Sequence, residues 1–282
     1  MAMLFLKSPL HCLRKTGLFK VLLQSILNRP AFFDIGFPFR IALRPLTHAS
    51  IYLKRKGIEP RIRRLIRMLI LALENERDKG CFYDVGANIG LYGWLVSSIS
   101  STRKTIAFEP DPLNLELLGM TQAHAKLEHW KVNGIALSNK CGNFSFFQDS
   151  ITSATGTLCL DDHPWIEKYL GCKTQTIEVK TSTMDQVLDS TLWPSLIKID
   201  VEGHELAVLK GGIDTLSKYK PLIIIESFPP RRSQVIELLS GLGYEFVDAD
   251  RWQPLEEGTS NLFAWHSAGP LPQSTIKRIL KS

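Results

Sequence analysis

Several familiar signatures are missing from this 282-residue chain. Its five cysteines, Cys12, Cys81, Cys141, Cys159 and Cys172, are odd in number and widely spaced, and no C-x-x-C occurs. That pattern predicts free thiols in a reducing, cytoplasmic setting and argues against a zinc ribbon. No apolar run approaches the roughly 20 residues that a membrane-spanning helix needs. Lys7, Lys15 and Lys20 interrupt the apolar patches at the start of the chain, which argues against a cleaved signal peptide. There is no internal repeat and no low-complexity tract. An Asn-Pro-Pro-Tyr motif and aromatic interleaving of the basic residues are also absent, so nucleic acid is not the expected partner.

The charge is unevenly placed. Residues 1–79 carry 16 Lys and Arg against 5 Asp and Glu, whereas the whole chain has a net charge of only +6. The remainder is therefore acidic. Residues 1–79 read as a basic helical extension. Pro60 to Asn75 repeats apolar residues at helical spacing, with Arg61, Arg63, Arg64 and Arg67 between them. One reading is an arm that makes peripheral contact with a membrane surface or docks on a partner. The other is a cap helix packed on a sheet. Pro30 to Pro45, punctuated by Phe and Pro, is expected to be a loop.

From residue 80 onward strands and helices alternate. Strands are predicted at 81–85, 104–109, 130–137, 196–200, 221–226, 244–248 and 261–266. Helices are predicted at 90–98, 112–126, 204–218 and 231–240. A β-rich stretch lies around a loop at 149–173. Such alternation implies a mostly parallel sheet with helices on both faces. The expected domains are 1–79, 80–268 and a tail at 269–282.

Within the first strand–turn–helix unit lies Asp84-Val85-Gly86-Ala87-Asn88-Ile89-Gly90. A turn of this kind presents backbone N–H groups at the carboxyl edge of a sheet. Glu109 follows Gly86 by 23 positions, where a carboxylate can accept from two adjacent ribose hydroxyls. The expected ligand is a nucleoside-containing cofactor. A pyrophosphate needs a glycine in the middle of the turn, and Asn88 stands there. That disfavours a nicotinamide enzyme and favours a cofactor without phosphates, such as S-adenosylmethionine. Asp84 is the candidate anchor for its ammonium, directly or through water.

Three segments carry a resemblance: Asp84 to Gly90, Phe108-Glu109-Pro110-Asp111-Pro112, and Ile197-Lys198-Ile199-Asp200-Val201-Glu202-Gly203-His204-Glu205. Together with Ile135-Ala136-Leu137-Ser138 and Ile223-Ile224-Ile225-Glu226, they resemble the FkbM family of S-adenosylmethionine-dependent methyltransferases. The resemblance implies a class I methyltransferase fold, that is, a Rossmann-like, seven-stranded, mostly parallel sheet closed by a hairpin. It also implies methyl transfer, usually to oxygen and often to sugars or natural products. Asp84, Gly86, Asn88, Gly90, Glu109, Leu137, Ser138 and Asp200 are the expected cofactor contacts.

Methyl transfer to a hydroxyl requires the acceptor to be held in line and its proton removed. Asp200 is the carboxylate expected to contact the methionine moiety or orient the acceptor. His204 is the candidate base, and Glu202 is the third candidate catalytic residue. Asp200, Glu202, His204 and Glu226 offer donors for a divalent ion, but without a metal-binding spacing, so no metal is expected. The loop 149–173, with Ser150, Thr152, Ser153, Thr155, Thr157 and Trp165, is expected to touch a polyhydroxyl acceptor such as a sugar or glycolipid. Trp94 and Trp130 are expected in the core. A non-catalytic scaffold that retains the fold is the competing reading.

Overall fold

A computed structural model of the chain describes residues 28–54, 58–149, 156–158 and 174–281. The basic segment 1–27 and most of the expected acceptor loop, including Ser150, Thr152, Ser153, Thr155, Asp161, His163 and Trp165, lie outside the described residues.

The segment expected as a loop at 30–45 contains a short hairpin, β1 (Ala31–Phe33) against β2 (Ile41–Leu43). All three β2 residues are buried, and Ala42 donates its N–H to Thr121 Oγ1 at 2.9 Å. The aromatic and aliphatic residues between the prolines thus form a separate two-stranded hairpin whose β2 packs into the main core. Helix α1 (Ala49–Lys54) follows, then α2 (Pro60–Asn75), starting at the proline that suits a first helical turn.

Helix α2 buries Ile62, Leu65, Ile66, Leu69, Ile70 and Leu73, a continuous i, i+3, i+4 stripe. These residues share one core with Phe82, Trp94 and Phe263 of the main domain. Burial of each such side chain contributes about 1.5–3 kcal/mol. Two of the arginines on the other side have partners in the loop after Asp248. Arg61 donates to the carbonyl of Asp250 at 2.9 Å, and Arg64 lies 5.1 Å over the Trp252 ring. At the helix end, the Arg103 guanidinium donates to Glu74 at 2.8 Å, Asp78 at 3.1 Å and the Gly80 carbonyl at 2.6 Å. This buried fork ties α2 to the first strand of the sheet.

The alternation continues with β3 (Cys81–Val85), α3 (Leu91–Ile99), β4 (Thr105–Phe108), α4 (Pro112–Ala125) and β5 (Trp130–Asn133). The strand expected at 130–137 is two strands. The chain leaves the main sheet after Asn133, and β6 (Ala136–Leu137) pairs in a second sheet. That sheet also holds β7 (Gly142–Asp149), β8 (Gly156–Thr157) and β9 (Thr174–Ser182), in the order β6-β9-β7-β8. Helix α5 (Met184–Val187) and β10 (Pro194–Ile199) follow.

The helix expected at 204–218 is broken into α6 (Glu205–Lys210) and α7 (Ile213–Tyr219). Two glycines make the break, and close approach requires both. A Cβ on Gly211 would stand 2.0 Å from the carbonyl oxygen of Ser138, and one on Gly212 would stand 2.9 Å from Met184. The chain ends with β11 (Leu222–Glu226), α8 (Arg231–Gly241), β12 (Tyr244–Asp248), β13 (Asn261–His266) and α9 (Gln273–Ile279).

The main sheet has the order β5-β4-β3-β10-β11-β13-β12. Neighbours from β5 to β11 are parallel, and β13 runs antiparallel to both β11 and β12. This is the seven-stranded, mostly parallel class I methyltransferase sheet. Leu196, Ile224 and Phe263 face the core shared with α2, and Ile197, Ile199, Ile223 and Ile225 face the opposite one. With both faces covered, the central strands read as nearly unbroken apolar runs. Trp94 and Trp130 stack at 3.7 Å inside the first core, as expected.

Candidate active site

Strand order reverses between β3 and β10: from β3 the chain winds outward through β4 and β5, then returns to β10 and continues through β11. A crevice opens beyond the carboxyl ends of strands at such a switch point. Here it is a half-open cleft of about 770 Å³, open solvent at its mouth included. Gly86, Asn88, Glu109, Leu137, Asp200, Glu202 and His204 line it, all of them singled out from sequence.

The turn after β3 is shaped by left-handed backbone. Gly86 has φ +77°, and a Cβ there would meet the carbonyl oxygen of Asp200 at 1.9 Å. The switch point is therefore closed backbone to backbone, and only glycine fits. Asn88 is also left-handed, at φ +51°, and its N–H is fixed by Glu109 Oε2 at 2.7 Å. Gly90 ends the turn at φ +83°, where Trp94 and Leu118 leave no space for a side chain. Gly90 faces this packing, not the cleft.

Glu109 is buried just past β4. Its second oxygen accepts from Asp111 N at 2.9 Å, while Asp111 caps α4 by accepting from Leu113 N at 2.7 Å. One carboxylate thus holds the β3 turn and the start of α4 together. Burial pushes its pKa up to about 7, against the pull of the two backbone N–H groups.

Asp84 lies deeper than expected for a ligand contact. Oδ2 accepts from Gly93 N, in the first turn of α3, at 3.0 Å. Burial raises its pKa to about 7, and it does not line the cleft among the described residues. Leu137 forms part of the apolar wall with Phe108, Ala136, Phe146 and Leu158. Ser138 sits behind that wall, and its Oγ lies 2.9 Å from His204 Nε2.

The end of β10 carries the other charged group. Lys198 is enclosed by the sheet, and Nζ donates to Asp200 Oδ2 at 3.1 Å. Burial opposes the charged form of Asp200, but Lys198 and a hydrogen bond from Glu226 outweigh it and lower its pKa. Glu226 moves the other way: burial, then the Asp200 charge, raise its pKa well above the carboxylate range. Beyond Asp200 the chain turns through Glu202 at φ +50° and Gly203 at φ +94°. Glu205 then accepts from Gly203 N at 2.7 Å and fixes the entry to α6. His204 sits at that entry. Burial, reinforced by the Arg231 charge, pushes its pKa down, so the imidazole is neutral near pH 7.

Sequence reasoning missed Lys198 as a site group. A lysine between two isoleucines of a central strand is the signal, because buried ammonium groups require a partner. Asp111 and Asn114, which hold or touch Glu109, were also missed. Among the described residues no group of three or more His, Cys, Asp or Glu is placed to hold a metal ion.

The donor set fits S-adenosylmethionine. Glu109, Asp111, Asp200 and Glu202 line the cleft, and no Lys or Arg does among the described residues. Such a lining repels a pyrophosphate and favours a ligand bearing ammonium and sulfonium charges. The apolar wall around Leu137 is large enough to suit a purine, and Glu109 lines the same cleft.

Several known proteins are similar to this chain. The family description "Methyltransferase FkbM domain" matches residues 84–246. A hexuronic acid methyltransferase, AglP from Haloferax volcanii, is 30% identical over 157 residues, which cover 55% of this chain and 59% of AglP. Methyltransferase sdnD from Sordaria araneosa is 24% identical over 213 residues, 61% of this chain and 76% of sdnD. A solved FkbM methyltransferase from Methylobacillus flagellatus overlaps 67% of this chain and 44% of its own length, with 17% identity and a TM-score of 0.46. The chain thus spans less than two thirds of AglP and of that solved structure. With more than half of its residues matched by one family description, the chain belongs to the FkbM methyltransferase family.

Proposed function

We propose that this protein transfers a methyl group from S-adenosylmethionine to a hydroxyl of a sugar, glycolipid or related metabolite. The observation that carries this reading is the cleft at the strand-order switch, lined by carboxylates, with Glu109 on one side and Asp200 on the other. The bound cofactor supplies an electrophilic methyl group on a sulfonium. The protein's residues position and deprotonate. Glu109 accepts from the ribose hydroxyls, the wall around Leu137 packs against the adenine, and Asp200 faces the charged tail. The sugar class rests on the activity that AglP's name states and on the hydroxyl-rich segment around Gly156.

His204 is the proposed proton acceptor. Its ring is neutral near pH 7, and Ser138 holds it by Nε2. Its folded pKa is depressed, so kcat at saturating S-adenosylmethionine is expected to fall as pH drops through that value, below the usual 6.5, and to level off above it. His204→Gln is expected to lose that acid limb and about 100-fold or more in kcat, with KM little changed. An acid limb that persists in His204→Gln would remove His204 from the role.

The function is tested by calorimetric titration of the purified chain with S-adenosylhomocysteine, beside NAD. Micromolar binding of the former and none of the latter is expected. Transfer of labelled methyl groups to a panel of neutral sugars and uronic acids then identifies the acceptor. Failure of a folded protein to bind S-adenosylhomocysteine would bring the scaffold reading forward.

A further inference from the structure

Strand pairing places charged residues of three strands on one face of the sheet. Lys198 is paired with Asp84 of β3 and Ile224 of β11; Lys198 lies two residues before Asp200, and Ile224 two before Glu226. Side chains two apart along a strand share a face. That face is otherwise apolar, occupied by Leu196, Phe82, Ile224 and the stripe of α2. A lysine enclosed there is costly without compensation. Its compensation is specific. Nζ reaches Asp200 Oδ2 at 3.1 Å and the Ile199 carbonyl at 3.4 Å, and lies 5.3 Å from the centre of the Tyr92 ring.

The ammonium therefore points toward the cleft end of the strand, not to solvent. Asp200 is the only member of this cluster that also lines the cleft, and a quarter of its side chain is exposed there. One Asp200 oxygen is taken by Lys198. A carboxylate keeps acceptor positions beyond one such bond.

We propose that Lys198 is a positioning residue. Its enclosed ammonium, 3.1 Å from Asp200 Oδ2, keeps Asp200 an anion turned to the cleft, ready for the ammonium of the cofactor's amino-acid tail. This rests on the methyltransferase reading of the cleft and adds the residue that sets the charge of its acidic wall. The charged and titratable groups facing Asp200 support the assignment. Lys198 is the cation among them, Glu226 donates a hydrogen bond to Asp200, and Glu59, Asp84 and Glu205 all feel the Asp200 charge, which favours their protonated forms. Without the lysine, burial would favour protonation of Asp200, opposed only by the Glu226 hydrogen bond.

The test uses Lys198→Met, which keeps the bulk and removes the charge. Affinity for S-adenosylhomocysteine is measured by calorimetry from pH 8.5 down to 6 in the full chain. The wild-type-to-variant affinity ratio is expected to widen by about tenfold or more as pH falls, since one unit of pKa shift is tenfold in protonation. A ratio that stays constant across the range would reduce Lys198 to a packing element and overturn the proposal. Should Lys198→Met not fold, infrared spectroscopy of the wild type decides. The difference between wild type and Asp200→Asn at neutral pH is expected to contain the antisymmetric stretch of an ionised carboxylate. The carbonyl stretch of a protonated carboxyl in its place would mean that Asp200 is not held as an anion and would overturn the proposal. A wild-type protein that binds no S-adenosylhomocysteine would instead refute the reading of the cleft, which the infrared result does not depend on.

Discussion

Glu109→Ala is expected to abolish measurable binding of S-adenosylhomocysteine, a loss of at least about 100-fold, or about 2.7 kcal/mol. Two effects combine. The ribose hydroxyls lose a charged acceptor, and hydrogen bonds to charged groups are worth roughly 1.5–3 kcal/mol each. The variant also leaves the N–H groups of Asn88 and Asp111 without their acceptor. Asn88 is held in a left-handed conformation by that bond, so the turn itself loosens. Calorimetry beside a circular-dichroism melt separates loss of site from loss of fold. Binding within threefold of wild type, in a folded variant, would remove Glu109 from the cofactor site.

The wild type carries a linked signature. Burial holds Glu109 up at about 7. Ribose hydroxyls donate to the ionised carboxylate and so favour it over the acid. The sign follows: the free protein binds the proton more tightly than the complex does. Affinity is therefore expected to be full above about pH 7 and to decline as pH falls below it.

Much of this arrangement was legible because the physics is local. Strands β3, β12 and β13 fall where apolar runs and turn residues put them, and Pro60 and Pro112 mark helix starts. Gly86, Asn88 and Glu109 were found from a spacing that topology then brought to one cleft. What escaped depended on partners distant in sequence. The break at Gly211 and Gly212 exists because Ser138 and Met184 press against it. The division of 130–137 exists because Ala136 and Leu137 pair with Thr181 and Ser182. Asp84 reads as a ligand group by position but faces the start of α3. Lys198 was read only as part of a motif. Its charge acquires a role from Asp200 and Glu226, and the Glu226 contact requires strand pairing.

Gly86→Ala is expected to be the most damaging single methyl group in the chain. The added Cβ would lie 1.9 Å from the Asp200 carbonyl oxygen, a backbone atom with no rotamer to change. Gly86 is also held from the other side, since its N–H donates to the Phe108 carbonyl at 3.0 Å, while Asp200 N donates to Val85 O at 2.9 Å. Relief requires β3 and β10 to part at the switch point. The left-handed conformation costs about 1–2 kcal/mol for a residue with a Cβ, and overpacking adds about 1–3 kcal/mol. The sum is a large share of a total stability of about 5–15 kcal/mol, and a drop in Tm on the order of 10 °C is expected. S-adenosylhomocysteine binding should disappear with it, because Asp200 moves. Gly119→Ala supplies the contrast. It lies in α4 with nothing within 4 Å of an added Cβ, so the same methyl group should stabilise by about 0.5–1 kcal/mol and leave binding untouched. Equal Tm values for the two variants would mean that the close approach of β3 and β10 does not shape the cleft.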